Sequence, residues 1–184
     1  MLLITKDQLS KSKFLETARA SYPGGMSMYG NGVVKAGTKK NVSNFFISDK
    51  FFVPNKSTFK KDHEKLCKEL SKKFDLNPQR NDLNKVTVAA KFIDTFLYQL
   101  MKFQEYRNLW GDLYLIIDRR IISRLKRCGD EKLKKFLESY PGSPYEANYT
   151  EYLKLQHALN AYLQRINSDL IKSRIELNFL WATD

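Results

Sequence analysis

Residues 84–120, NKVTVAAKFIDTFLYQLMKFQEYRNLWGDLYLIIDRR, constrain the fold more than any other stretch. Ala89, Ile93, Phe96, Leu97, Leu100 and Met101 recur three and four apart, the spacing that puts apolar side chains on one face of a helix. Thr87, Lys91, Asp94, Thr95 and Tyr98 fall on another side of the same helix. A loop follows, and Leu113, Tyr114, Leu115, Ile116 and Ile117 then carry the chain back through apolar surroundings. They deliver Asp118 to the start of a second, basic helix. An amine early in one helix and a carboxylate opening the next can form a nucleophile–carboxylate pair. Each also has a plain structural use, since aspartate commonly caps a helix and a lysine on a polar face is usually solvated.

The rest of the chain supports a mainly α-helical protein. Its 184 residues suit one compact body, and 42% apolar residues with 12 Phe and 10 Tyr suffice for a core. Thr5-Lys-Asp-Gln8 has capping-box form, so a helix is expected to about Ala20. Residues 26–55 change texture to short apolar runs punctuated by glycine. They suggest a small β-hairpin or extended lobe, with turns at 29–33 and 48–50. Residues 1–57 are therefore expected to form an N-terminal helix plus this lobe, and 58–184 a helical body.

Within that body, Ser57 or Thr58 caps a helix to about Phe74 that buries Phe59, His63, Leu66, Cys67, Leu70 and Phe74. His63 reads as a histidine at the edge of the core. Asp118 caps a helix over 119–127 that Gly129 ends, and Asp130 caps another to about Ser139. After the break at 140–144, helices are expected over 148–166 and 168–181.

Charge narrows the partners. There are 32 Lys and Arg against 20 Asp and Glu, a net charge of +12 that favours a polyanion, nucleic acid first. Eight cations fall within 119–135: Arg119, Arg120, Arg124, Lys126, Arg127, Lys132, Lys134 and Lys135. No apolar run approaches the roughly 20 residues that span a bilayer, and no membrane association is expected. The opening MLLIT is shorter than a signal-peptide core, and Cys67 and Cys128 read as reduced thiols, so a cytoplasmic location is expected. Two histidines and two cysteines, all far apart, offer no zinc or iron–sulfur spacing, and no metal or cofactor is expected.

Three motifs carry a family resemblance. VTVAAKFID at 86–94 resembles the hairpin-to-helix segment of helix-hairpin-helix DNA glycosylases, especially the 8-oxoguanine DNA glycosylase branch. LIIDRRI at 115–121 is similar to that family's catalytic-aspartate element. SRIELNFLW at 173–181 is similar to the last helix of bacterial 8-oxoguanine-glycosylase-like proteins, some of which occur in anti-phage defence clusters.

The resemblance spans roughly 60–181. It implies Lys91 as nucleophile, Asp118 as its carboxylate, Arg119, Arg120, Arg124 and Arg127 on phosphates, and Trp110, Tyr114, Phe179 and Trp181 around a flipped base. DNA, modified or damaged, is the implied partner, with no cofactor. Lys85, on the side of Ala89, Phe92 and Phe96, is the alternative nucleophile. The chain departs from the family in having no glycine between Gly37 and Gly111, where members carry a glycine-rich hairpin. Two other expectations thus stand beside the enzyme: a DNA-binding module without turnover, and a protein-interaction subunit of a defence system.

Overall fold

The computed structural model describes residues 12, 16, 32–80, 82–101, 103–167 and 171–181, excepting the side chains of Lys39 and residues 179–181. Six α-helices lie among these: α1 (Lys39–Phe46), α2 (Phe59–Ser71), α3 (Lys85–Leu100), α4 (Arg119–Leu125), α5 (Glu131–Glu138) and α6 (Tyr149–Ile166). A run of 3₁₀ turns at Gln104–Asp112 lies between α3 and α4, and another, Arg174–Trp181, follows α6. The protein is mainly helical, and the described residues contain no strand.

Helix α3 is the axis. The Asn84 carboxamide caps it by accepting from the Val86 and Thr87 amides. Its apolar stripe is buried as the spacing predicts, and so is most of its polar side: Thr87, Lys91, Asp94 and Thr95 are all enclosed. Helix α2 lies along α3 through Leu66, Cys67 and Leu70, each fully buried, and α6 closes another side with Leu155 and Leu159. Burying one such Leu contributes roughly 1.5–3 kcal/mol.

Residues 39–46 differ from expectation. In place of a hairpin or extended run they form α1, because Val42, Phe45 and Phe46 sit three and four apart and so share one buried face. The Phe46 ring stacks on Phe96 of α3 with centroids 4.1 Å apart. The only ladder element in the described part is an isolated bridge, Val34 to Leu76. The turn at 48–50 does form, with Phe51 N–H donating to Ser48 O at 3.1 Å. The expected first helix, apart from Ser12 and Glu16, and residues 29–31 of the expected turn at 29–33 lie outside the described residues.

The segment 113–117 crosses the core extended, with all five side chains buried. Buried backbone must still be paired. Gln156 of α6 supplies the partner: its Oε1 accepts from Leu115 N–H and its Nε2 donates to Leu115 O, both at 3.0 Å. The segment thereby reaches Asp118 in a fixed register. The Asp118 carboxylate accepts from the Ile121 amide at 2.9 Å and caps α4, as expected. Asp130 caps α5 in the same way, and Gly129 between the two helices has φ +78°, a conformation that glycine adopts freely.

The C-terminal segment also departs from expectation. Asn167, in the left-handed conformation at φ 41°, ends α6, and Arg174–Trp181 follows as 3₁₀ turns and not as an α-helix. Glu176 holds the entry to those turns by accepting from the Lys172 and Ser173 amides at 2.6 and 2.8 Å. No helix in the described part is long and apolar enough to cross a membrane.

Candidate active site

Lys91 lies in the first half of α3 and is 5% exposed. Its Nζ donates to the Tyr145 hydroxyl at 2.8 Å. Tyr145 comes from the loop after the 140–144 break, which is stapled to the start of α3. Asn84 N–H donates to Tyr145 O at 2.7 Å, and the Thr87 hydroxyl donates to Ala147 O at 2.6 Å. The loop backbone is thus anchored, while the Tyr145 side chain covers the amine. Burial lowers the Lys91 pKa, and the nearby Asp118 carboxylate raises it in partial opposition. Burial also pushes the Tyr145 phenol up, with Asp118 adding to the rise and Arg119 opposing it. One locale therefore holds a desolvated amine, a phenol, a carboxylate at a helix start and an exposed arginine.

The direction of the Lys91 shift sets a pH dependence. Between its lowered folded value and the ordinary 10.5, the folded chain binds fewer protons than the unfolded chain. Stability from this group therefore rises with pH across that window. Lys91→Met removes that rise, which is checked by comparing urea midpoints of both proteins as pH is raised towards the ordinary lysine value of 10.5.

Lys85 is placed differently. Its side chain is 39% exposed, its Nζ is 3.3 Å from Asp75 Oδ1 and it lies over the Phe74 ring. It is a partly exposed cation in a surface ion pair, unlike the enclosed amine of Lys91.

The expected cationic residues share the outer side of α4 and its exit. Ile121, Ile122 and Leu125 turn inward, Arg119, Arg120 and Arg127 are exposed, and Arg124 is half-buried. Asp118 opens this helix, so the basic face begins beside the Lys91 locale.

Of the four aromatics expected to stack bases, Trp110 and Tyr114 make their contacts elsewhere than at Lys91. Trp110 is half-buried, donates from Nε1 to Glu176 Oε1 at 3.1 Å and lines a separate cavity. Tyr114 is core, packed edge-on against Phe59, His63 and Tyr152, with the Arg174 guanidinium 4.7 Å from its ring centre. Its closeness to Asp118 in sequence suggests a place near a base. Its ring instead packs towards α2 and α6, against Phe59 and His63 of the one and Tyr152 of the other. The side chains of Phe179 and Trp181 lie outside the described residues.

A second polar cluster is not legible in the sequence. Asp94, one turn after Lys91, accepts from His63 Nε2–H at 2.9 Å and from the Tyr152 hydroxyl at 2.6 Å. With its proton on Nε2, His63 accepts at Nδ1 from the Tyr149 hydroxyl at 2.8 Å. His63, expected at the core edge, is fully enclosed. Burial raises the Asp94 pKa, and His63, Tyr152 and Arg174 counter it. Cys67, 3.6 Å from His63, has its thiol pushed well up by burial, then by Asp94, so it is held as a thiol and not as a nucleophilic thiolate. This cluster satisfies buried polar groups and offers no accessible reacting atom. Its one local signal is the pair Tyr149 and Tyr152, three apart on the face of α6 that meets α3.

No group of three or more His, Cys, Asp or Glu in the described part is placed to hold a metal, and both cysteines are free. Comparison of the chain with family models, curated proteins and solved structures finds no match.

Proposed function

We propose that this protein is a cytoplasmic DNA glycosylase or abasic-site lyase of the helix-hairpin-helix type, 8-oxoguanine-glycosylase-like, with Lys91 as its nucleophile. The observation that carries the reading is the enclosed Lys91 amine, 2.8 Å from the Tyr145 hydroxyl and within electrostatic reach of Asp118. A nucleophilic lysine needs its pKa brought down towards neutrality, and desolvation is the most direct means.

In the proposed reaction the Tyr145 side chain swings aside and the neutral amine bonds to the sugar C1′. The C1′–base bond breaks, and the base departs with the electron pair and takes up a proton. Asp118 stabilises the positive charge that develops on the sugar and accepts the proton lost by the amine. Ring opening gives a Schiff base. Loss of a C2′ proton then expels the 3′ phosphate and cuts the strand. The exposed arginines of α4 hold phosphates on either side of the target.

A borohydride trap on duplexes bearing abasic sites or 8-oxoguanine tests this, since reduction converts the Schiff base into a stable amine. The expected result is a covalent adduct with the native chain and none with Lys91→Ala. Asp118→Asn refines the test, because asparagine caps a helix about as well as aspartate. Its stability stays within about 0.5 kcal/mol of the native value while trapping slows about 10²-fold or more.

A second reading, DNA binding without turnover, is favoured by the tight cover over Lys91 and by the engagement of Asp118 as a cap. Tight binding with no adduct on any of these duplexes selects it. Both readings predict salt sensitivity. For about four neutralised phosphates, affinity drops about 10²-fold between about 50 and about 200 mM salt. Replacing one of Arg119, Arg120 or Arg127 with glutamine lowers the slope of log K against log salt by about 0.9. No binding at low salt contradicts both readings.

A further inference from the structure

We propose that the cavity between the end of α3 and the Gln104–Asp112 turns binds a nucleotide, at a site separate from Lys91. The cavity holds about 720 Å³ and is lined by Tyr98, Gln99, Met101, Arg107 and Trp110. That size is typical of small-molecule pockets, at roughly 300–1,000 Å³. Tyr98 and Gln99 lie seven and eight residues beyond Lys91, which places the cavity on the order of 10 Å further along α3.

Three features choose the ligand. The Tyr98 and Trp110 rings are 5.9 Å apart and tilted by 39°, too close and too inclined to admit a third ring between them. They form an aromatic wall against which one planar ring can lie, and Trp110 is held there by its bond to Glu176. The second feature is Gln99 Oε1, which is buried and has no hydrogen-bond partner among the described residues. Leaving such an acceptor unpaired costs about 1–3 kcal/mol, so the site favours a ligand that presents an N–H donor. The third is Arg107, exposed at the cavity and without an ion pair in the described part, a guanidinium suited to an anionic group such as phosphate. A flat ring with an amine donor and a phosphate describes a nucleotide whose base carries an exocyclic amine.

That ligand has two sources, a free mononucleotide or an unstacked nucleotide of a single strand. Titrating the full chain with AMP, adenosine and a short single-stranded oligo-dA, while following tryptophan emission, separates them. The expected result is saturable quenching, with AMP bound more tightly than adenosine. Arg107→Ala weakens AMP about 10-fold and leaves adenosine unchanged. Gln99→Leu removes the preference of the native chain for AMP over purine riboside 5′-monophosphate, which lacks the amine. Oligo-dA binding far above AMP identifies a strand-derived nucleotide; AMP alone identifies a free one. Lys91→Met leaves the titration unchanged, so this result stands apart from the reaction at Lys91. The proposal is overturned if neither AMP nor oligo-dA quenches saturably, or if quenching is indifferent to both Arg107→Ala and Gln99→Leu.

Discussion

Replacing Asp94 with alanine lowers the free energy of unfolding by about 3–5 kcal/mol, the largest stability loss expected from a polar residue among those described. The carboxylate is fully enclosed and accepts from both His63 and Tyr152. Without it, His63 Nε2–H and the Tyr152 hydroxyl are left buried with no acceptor. Arg174, itself buried and lying over Tyr114, loses the negative charge that offsets its own. Urea unfolding reads the effect as a lower midpoint at unchanged slope. Tyr152→Phe, which removes one donor and keeps the ring, costs less, about 1 kcal/mol. A loss under about 1 kcal/mol for Asp94→Ala means that the cluster is wet and not enclosed.

Replacing Lys91 with methionine abolishes covalent capture and at the same time raises stability by about 1 kcal/mol. The two effects have one origin. An amine kept 5% exposed has given up most of its water for a single hydroxyl partner, and methionine fills the same space without that desolvation cost. A residue carried only for structure would change stability in the opposite direction. Lys85→Met provides the contrast: its amine is partly exposed and held only in a surface ion pair, so its removal leaves both capture and stability close to native.

What is legible in the sequence follows from how local each signal is. The stripe of α3 and the caps at Asp118 and Asp130 depend on residues within a turn of one another, and they fold as their spacing predicts. Residues 39–46 are harder because paired phenylalanines after a glycine-punctuated run carry the texture of a strand. Only the three-and-four spacing of Val42, Phe45 and Phe46 marks a helix. The C-terminal turns have the apolar period of an α-helix, yet Glu176 commits its carboxylate to the Lys172 and Ser173 amides and to Trp110, which fixes a tighter path.

At the site, Lys91 and Asp118 lie within electrostatic reach of each other, but what surrounds them comes from long range. Tyr145 is 54 residues from Lys91 and sits in a loop after a proline–glycine break, where no periodicity points to it. Asp94 resembles a solvated polar residue on an amphipathic helix, and His63 a histidine at the edge of the core. Their burial depends on α2, α3 and α6 meeting side by side, a tertiary fact that no local pattern carries.

The most direct test of the central claim is to identify the modified residue itself. The native chain is reduced with borohydride on an abasic duplex, digested, and the peptide bearing the sugar remnant is sequenced by mass spectrometry. The expected result is added mass on Lys91. Added mass on Lys85 or on another exposed lysine, with Lys91 unmodified, contradicts it.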